Sequence, residues 1–286
     1  MRTRSLGFVL AILALLTFTP CADAALIWGN SAGSNEIDAW DLDTGQLVHS
    51  FHPNKGNGRG VVVVGNVVYF TVVGDGNIYK LDATTGAPLG SFGSGQLSLS
   101  TISFDGTNFW LADYSGTKNA YLISPTGAPL KTIQLSSATG NTDGLEFFNG
   151  KLIANRSDGC CTDPTPYDIF DLNGNVLTSA FITAAHNETG IAFDGTNFIT
   201  SDVRNGKVDI WNGTTGSFIK SVTLIGGNPL IEDLSVDFAQ RSDTCGQPNQ
   251  PPCSDGGGTG VPEPSTVLLL SSGFVGLVAW RRYRRK

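Results

Sequence analysis

A glycine turn recurs along this 286-residue chain with a period in the low forties, and that period limits the possible folds more than any other feature. The turns are Asp43-Thr44-Gly45, Thr84-Thr85-Gly86, Pro125-Thr126-Gly127, Leu172-Asn173-Gly174 and Thr214-Thr215-Gly216, with glycines 41, 41, 47 and 42 residues apart. Thr-Gly-Ala-Pro-Leu stands verbatim at 85–89 and 126–130, and Phe-Asp-Gly-Thr-Asn-Phe at 104–109 and 193–198. Short strands and Gly turns repeating at about 40–45 residues match one four-stranded propeller blade. With 36 glycines and few Lys or Glu, the composition favours tight turns over long helices.

The last full unit shows the pattern in detail. Residues 190–193, 198–202, 207–211 and 217–224 read as strands A to D, with Asp194-Gly195-Thr196-Asn197 as the A–B hairpin turn. Trp40 and Trp211 each precede their turn glycine by five residues on strand C, a position that packs between blades. The mature chain begins on a strand B at residues 26–29 with no strand A before it, and residues 231–238 supply the missing one. Pairing this C-terminal strand with the N-terminal blade hides the sheet edges and locks the ring. Residues 25–240 are therefore expected to form an all-β, five-bladed β-propeller; a sixth blade would need irregular strands hidden in 137–187.

Segments such as Ile37-Asp38-Ala39-Trp40-Asp41 give the body a loose resemblance to the WD-repeat and quinoprotein-like propellers. That resemblance implies a fold and no particular function. Some quinoprotein dehydrogenases carry a vicinal disulfide beside their cofactor, which Cys160-Cys161 resembles, but this chain is too short for their ring and their cofactor is not carried over.

Both ends carry targeting signals. Arg2 and Arg4, the apolar run 6–18 and Ala22-Asp23-Ala24 read as a signal peptide over residues 1–24. At the other end, Pro262-Glu263-Pro264 precedes an uncharged segment to Trp280 and the basic stop Arg281, Arg282, Arg284, Arg285 and Lys286. This tripartite tail, residues 261–286, resembles the PEP-CTERM sorting signal of exported bacterial proteins. The resemblance implies an exosortase-type partner acting at Pro262, Glu263 and Pro264, and a transmembrane helix that anchors the chain transiently in the inner membrane before cell-surface or extracellular release. Residues 241–260, rich in Gln, Asn, Pro, Ser and Gly, read as a flexible tether.

Between residues 25 and 280 stand 24 acidic and 11 basic side chains, a net of −13, which argues against nucleic acid or anionic lipid as a partner. Cations, neutral glycans and basic proteins remain compatible. Cys160, Cys161, Cys245 and Cys253 suggest disulfides in an exported chain. They pair either locally, as Cys160–Cys161 and Cys245–Cys253, or across the two sets.

Propeller sites form where loops from several blades meet at the channel mouth. The residues just before each strand A include Arg59, Asp143, Glu188, Glu232 and Asp233. Asp143, Glu188, Glu232 and Asp233 are expected at one mouth, with Arg59 across the ring. Such a cluster could hold Ca²⁺, a hard cation that takes oxygen ligands, or the acids could pair with Arg59 and cap turns. No Gly-x-Ser-x-Gly, His-Glu-x-x-His, phosphate loop or nucleotide fingerprint is present. Two readings of function follow: a non-catalytic surface or matrix module that binds extracellular polysaccharide or surface proteins, and a Ca²⁺-dependent lactonase or hydrolase.

Overall fold

The structure is a computed structural model that describes residues 25–138, 141–156, 163–186 and 188–236. The signal peptide, all four cysteines of the mature chain, the tether, Pro262, Glu263, Pro264, the expected membrane helix and the basic stop lie outside the described residues. The chain divides into two compact units, Met1–Pro251 and Pro252–Lys286, and the described residues belong to the first. No helix among them is long and apolar enough to cross a membrane.

Twenty strands among the described residues form five four-stranded antiparallel sheets. Blade 1 orders β20 (Ile231–Val236), β1 (Leu26–Ser31), β2 (Ile37–Asp41) and β3 (Leu47–Phe51) from the axis outward. Blade 2 runs β4 (Gly58–Val64), β5 (Val67–Val72), β6 (Asn77–Asp82) and β7 (Pro88–Gly93). Blade 3 runs β8 (Leu99–Phe104), β9 (Phe109–Asp113), β10 (Asn119–Ile123) and β11 (Pro129–Gln134). Blade 4 runs β12 (Leu145–Phe148), β13 (Lys151–Asn155), β14 (Thr165–Phe170) and β15 (Val176–Ala184). Blade 5 runs β16 (Glu188–Phe193), β17 (Asn197–Asp202), β18 (Lys207–Asn212) and β19 (Phe218–Thr223). The closure is the one expected: β20 pairs antiparallel with β1, placing Trp28 opposite Ser235. The described residues of 137–187 form the single sheet of blade 4, so the described residues make five blades.

The core lies between blades. Five apolar clusters fill the five seams; in the blade 5–blade 1 seam, Trp40 and Ile27 meet Ile199 and Val208. Trp211 fills the seam between blades 4 and 5. Strands packed on both faces are apolar throughout, which is why β9 (Phe-Trp-Leu-Ala-Asp) shows no alternation.

The repeated turn has a local cause. Asp41 Oδ1 accepts the amides of Asp43 (2.9 Å) and Thr44 (2.8 Å), and Asp82 and Asn212 do the same in blades 2 and 5. The glycine that follows takes a positive φ, 71° at Gly45 and 87° at Gly174. At Gly45, Gly127, Gly174 and Gly216 a Cβ would also overlap a carbonyl oxygen of the preceding blade's outermost strand, so these turns press the blades together. Just beyond each turn the outermost strand carries a bulge, where Val48, Leu89, Leu130, Leu177 and Ile219 are the extra residues. Bulges of this kind spoil the edge as a template for another strand.

The innermost strands approach too closely for side chains. A Cβ on Gly190 would lie 2.5 Å from Asp233 Cα, and one on Gly60 would lie 2.8 Å from the Ile102 nitrogen. Neither glycine has a positive φ, so the constraint is space alone. Gly190→Ala is expected to cost about 1–3 kcal/mol through overpacking. Gly93→Ala, whose nearest neighbour would lie 4.0 Å away, serves as the silent control in the same thermal melt.

Candidate functional site at the channel mouth

Antiparallel order within each blade puts the start of the innermost strand, the end of the second and the start of the third on one face. Asp143, Glu188, Glu232 and Asp233 all lie at or near the starts of innermost strands, as expected. Their side chains do not share one environment.

Glu232 is paired. Arg59 Nη1 lies 2.9 Å from Glu232 Oε2, with both side chains about one-sixth exposed. The guanidinium also lies over the Tyr114 ring at 5.2 Å. Arg59 was expected across the ring; it is instead on the adjacent blade, because closure sets β20 beside β4. Burial still raises the Glu232 carboxyl above its ordinary range, outweighing the charge of Arg59.

Asp233 faces the axis. Its Oδ2 accepts from Thr101 Oγ1 (2.8 Å), the Val61 amide (3.2 Å) and the Ile102 amide (3.3 Å), and the residue is fully buried. Burial raises its pKa well above the usual carboxyl range despite those hydrogen bonds. Asp143 is also buried, and its amide and that of Gly144 donate to Asn155 Oδ1 at 3.0 and 3.1 Å.

Glu188 is the most perturbed of the four. It is 1% exposed, and its carboxyl is pushed up to about 10, by burial first and then by Asp209 and Asp202. Neither of its side-chain oxygens has a hydrogen-bond partner among the described residues, and the nearby Asp209 and Asp202 oppose its ionisation. Asp209 meanwhile accepts from Ser221 Oγ.

Tyr167 lies within electrostatic reach of several of these groups. Its hydroxyl proton is shared between the carbonyls of Thr189 (3.2 Å) and Gly190 (3.3 Å), and burial first, then Glu188, Asp143, Asp233 and Asp209, raises its pKa well above the ordinary range. Three of those four acids are among the expected ones; Asp209 is new. A signal for it was present in the sequence. Asp38-Ala39-Trp40, Asp168-Ile169-Phe170 and Asp209-Ile210-Trp211 repeat an Asp-x-aromatic pattern on the third strand. In the fold each Asp is buried and bonded: Asp38 to the Asn228 amide (2.7 Å), Asp168 to Arg156 Nε (2.9 Å) and Asp209 to Ser221. Among the described residues, no three His, Cys, Asp or Glu side chains are grouped so as to hold a metal ion.

Residues 260–285 match the PEP-CTERM protein-sorting motif. The chain carries that sorting signal on a five-bladed β-propeller. The motif implies export, anchoring through the C-terminal region and processing by an exosortase. No curated protein matches the sequence. Among solved structures, the fold is similar to a chain in the crystal structure of a nidogen/laminin complex, with a TM-score of 0.56 at 11% identity over 76% of this chain and 99% of that one. A glutaminyl cyclase from Myxococcus xanthus aligns with a TM-score of 0.46 at 14% identity, over 64% of this chain and 71% of that one. At such identities the first likeness speaks for the fold alone.

The state of Glu188 has a measurable consequence. In the folded protein it keeps its proton up to about pH 10, whereas unfolded it ionises near the ordinary Glu value. Between those limits the folded state binds the extra proton, so stability contributed here is full below the lower limit and falls as pH rises. Glu188→Gln keeps the shape of the side chain and removes the titration. Its melting temperature should equal that of the parent at pH 4 and exceed it increasingly from pH 6 to 9. A difference that does not vary with pH would show that Glu188 is ionised in the fold.

Proposed function

We propose that the protein is an exported surface propeller, released or anchored through exosortase processing, that serves as a non-catalytic binding or structural module in the envelope or extracellular polysaccharide matrix. The observation that carries this reading is the engagement of Glu232 and Asp233 with the propeller itself. Glu232 pairs with Arg59 and Asp233 ties the inner strands, while Glu188 is buried with its carboxyl pushed up to about 10. Carboxyls used in this way are poor ligands for a hard cation, which takes ionised oxygens that converge on one point. Glu188 and Asp233 are equally poor candidates for general acid–base work, because they are buried and a general acid or base must reach the proton it moves.

The test is calcium titration of the purified protein by calorimetry, with thermal melts alongside. No binding heat and an unchanged melting temperature are expected. Tight binding with a raised melting temperature would instead place a metal at the mouth and favour the hydrolase. The sorting half of the proposal has its own test: Glu263→Ala should leave the protein in the membrane fraction with its basic end intact. Unchanged processing of that variant would remove the exosortase from the proposal.

A further inference from the structure

Four of the five seams close alike at their outer ends, each with a turn glycine pressed on a carbonyl of the preceding blade. The blade 1–blade 2 seam departs from this pattern. There Gly86 meets the ring of Phe51, with the place of its absent Cβ 2.5 Å from Phe51 Cδ1. An aromatic ring fills the place where the other seams have main chain against main chain. Beside this wedge lies a cleft of about 330 Å³.

One wall is the segment leaving blade 1, with His52, Pro53 and Lys55; the other is blade 2, with Phe70, Tyr79 and Ser91. Phe70 pairs with Tyr79 across β5–β6, and Tyr79 with Ser91 across β6–β7, so the three side chains share one face of the sheet. The Tyr79 ring is fixed in place. Its hydroxyl donates to Asp75 Oδ2 (2.5 Å), Asp75 Oδ1 also takes the Asn77 amide (2.8 Å), and Phe70 stacks behind the ring at 5.3 Å and 25°. The front of the ring is covered by the Lys55 ammonium, 5.0 Å from the centroid. Lys55 is on an exposed segment whose neighbours Asn54 and Gly56 both have positive φ, and an exposed cation–π contact is worth only about 0.5–1 kcal/mol. A better-fitting ring can displace it.

We infer that this cleft binds a neutral sugar of a polysaccharide, with one pyranose face against Tyr79 and hydroxyl groups bonded to Ser91, His52 and the displaced Lys55. The inference rests on the proposed binding role and names its site and ligand class. Size supports it, because the cleft is at the small end of the roughly 300–1,000 Å³ range of small-molecule sites and admits a ring more readily than a folded segment. Charge supports neutrality: the −13 carried between residues 25 and 280 repels a polyanion at long range. The lining supplies a fixed aromatic face, two proline-bearing rims at Pro53 and Pro88, and hydroxyl and nitrogen donors at the mouth.

The test is calorimetry of the detergent-solubilised full chain against neutral gluco-, galacto- and manno-oligosaccharides, with oligouronides and an oligoglutamate peptide as acidic probes. Ser91→Trp fills the cleft from an exposed position, and Thr132→Trp places the same bulk at the matching register of blade 3. Binding to at least one neutral series is expected, weakened tenfold or more by Ser91→Trp and unchanged by Thr132→Trp, with all three proteins melting alike. Neutral-sugar binding that survives Ser91→Trp would overturn the cleft assignment and leave the binding role standing. Preference for either acidic probe would overturn the ligand class. Absence of binding to every probe, with basic proteins also tested, would overturn the site and the binding role together.

Discussion

Two buried carboxyl groups tie the inner strands of all five blades, and the rest of the ring depends on that tie. Asp233, on the closing strand of blade 1, takes hydrogen bonds from Val61 in blade 2 and from Thr101 and Ile102 in blade 3. Glu146, on blade 4, takes one from Ser103 in blade 3 (2.9 Å) and one from the Phe193 amide in blade 5. Both are fully withdrawn from water, and burial raises both well above the ordinary carboxyl range. A carboxyl in such a place avoids the cost of a buried charge by keeping its proton. Glycines at 60, 144 and 190 let the inner strands come close enough for these bonds to span the axis. The β20–β1 pairing completes blade 1 and so closes the ring of blades, and Asp233 on the same strand ties it at the axis.

The mouth carboxyls extend this use of acids as internal ties. Asp38, Asp168 and Asp209 recur at one position of the third strand, each bonded to a neighbouring loop or strand. In blades 2 and 3 the position is taken by Tyr79 and Tyr121, whose hydroxyls reach Asp75 in the preceding turn and Asp113 at the end of β9. The repeat thus keeps one acid-centred bond per blade while moving the acid between strand and turn. Acidity in this chain serves its architecture, and the aromatic seam between blades 1 and 2 offers a concave surface with donors at its mouth.

Much of the architecture was legible in the sequence because its causes are local. The turn glycines answer to a positive φ and a close approach, and the lack of a first strand before Leu26 required its replacement by Ile231–Val236. The strand boundaries of blade 5 agree to within two residues. The site was less legible. Membership of Asp143, Glu188 and Asp233 in the mouth follows from register, but whether a carboxyl faces water or the axis depends on contacts between blades. Arg59 was placed across the ring because linear order hides that the last strand lies beside β4. Glu146 gave a faint sign, an acid inside the apolar run Leu145-Glu146-Phe147-Phe148. The cleft gave none, since it arises from one phenyl ring where four other seams have a carbonyl.

The most direct measurement is the carboxyl ¹³C shift of Asp and Glu side chains followed from pH 4 to 10. If the acids hold the ring, Glu188 retains the shift of a protonated carboxyl through neutral pH and changes only toward about 10. Asp233 and Glu146 would also titrate above the ordinary range. Ordinary titration of all three near pH 4 would mean that they face water or a cation, and would contradict the assignment of these carboxyls to the scaffold.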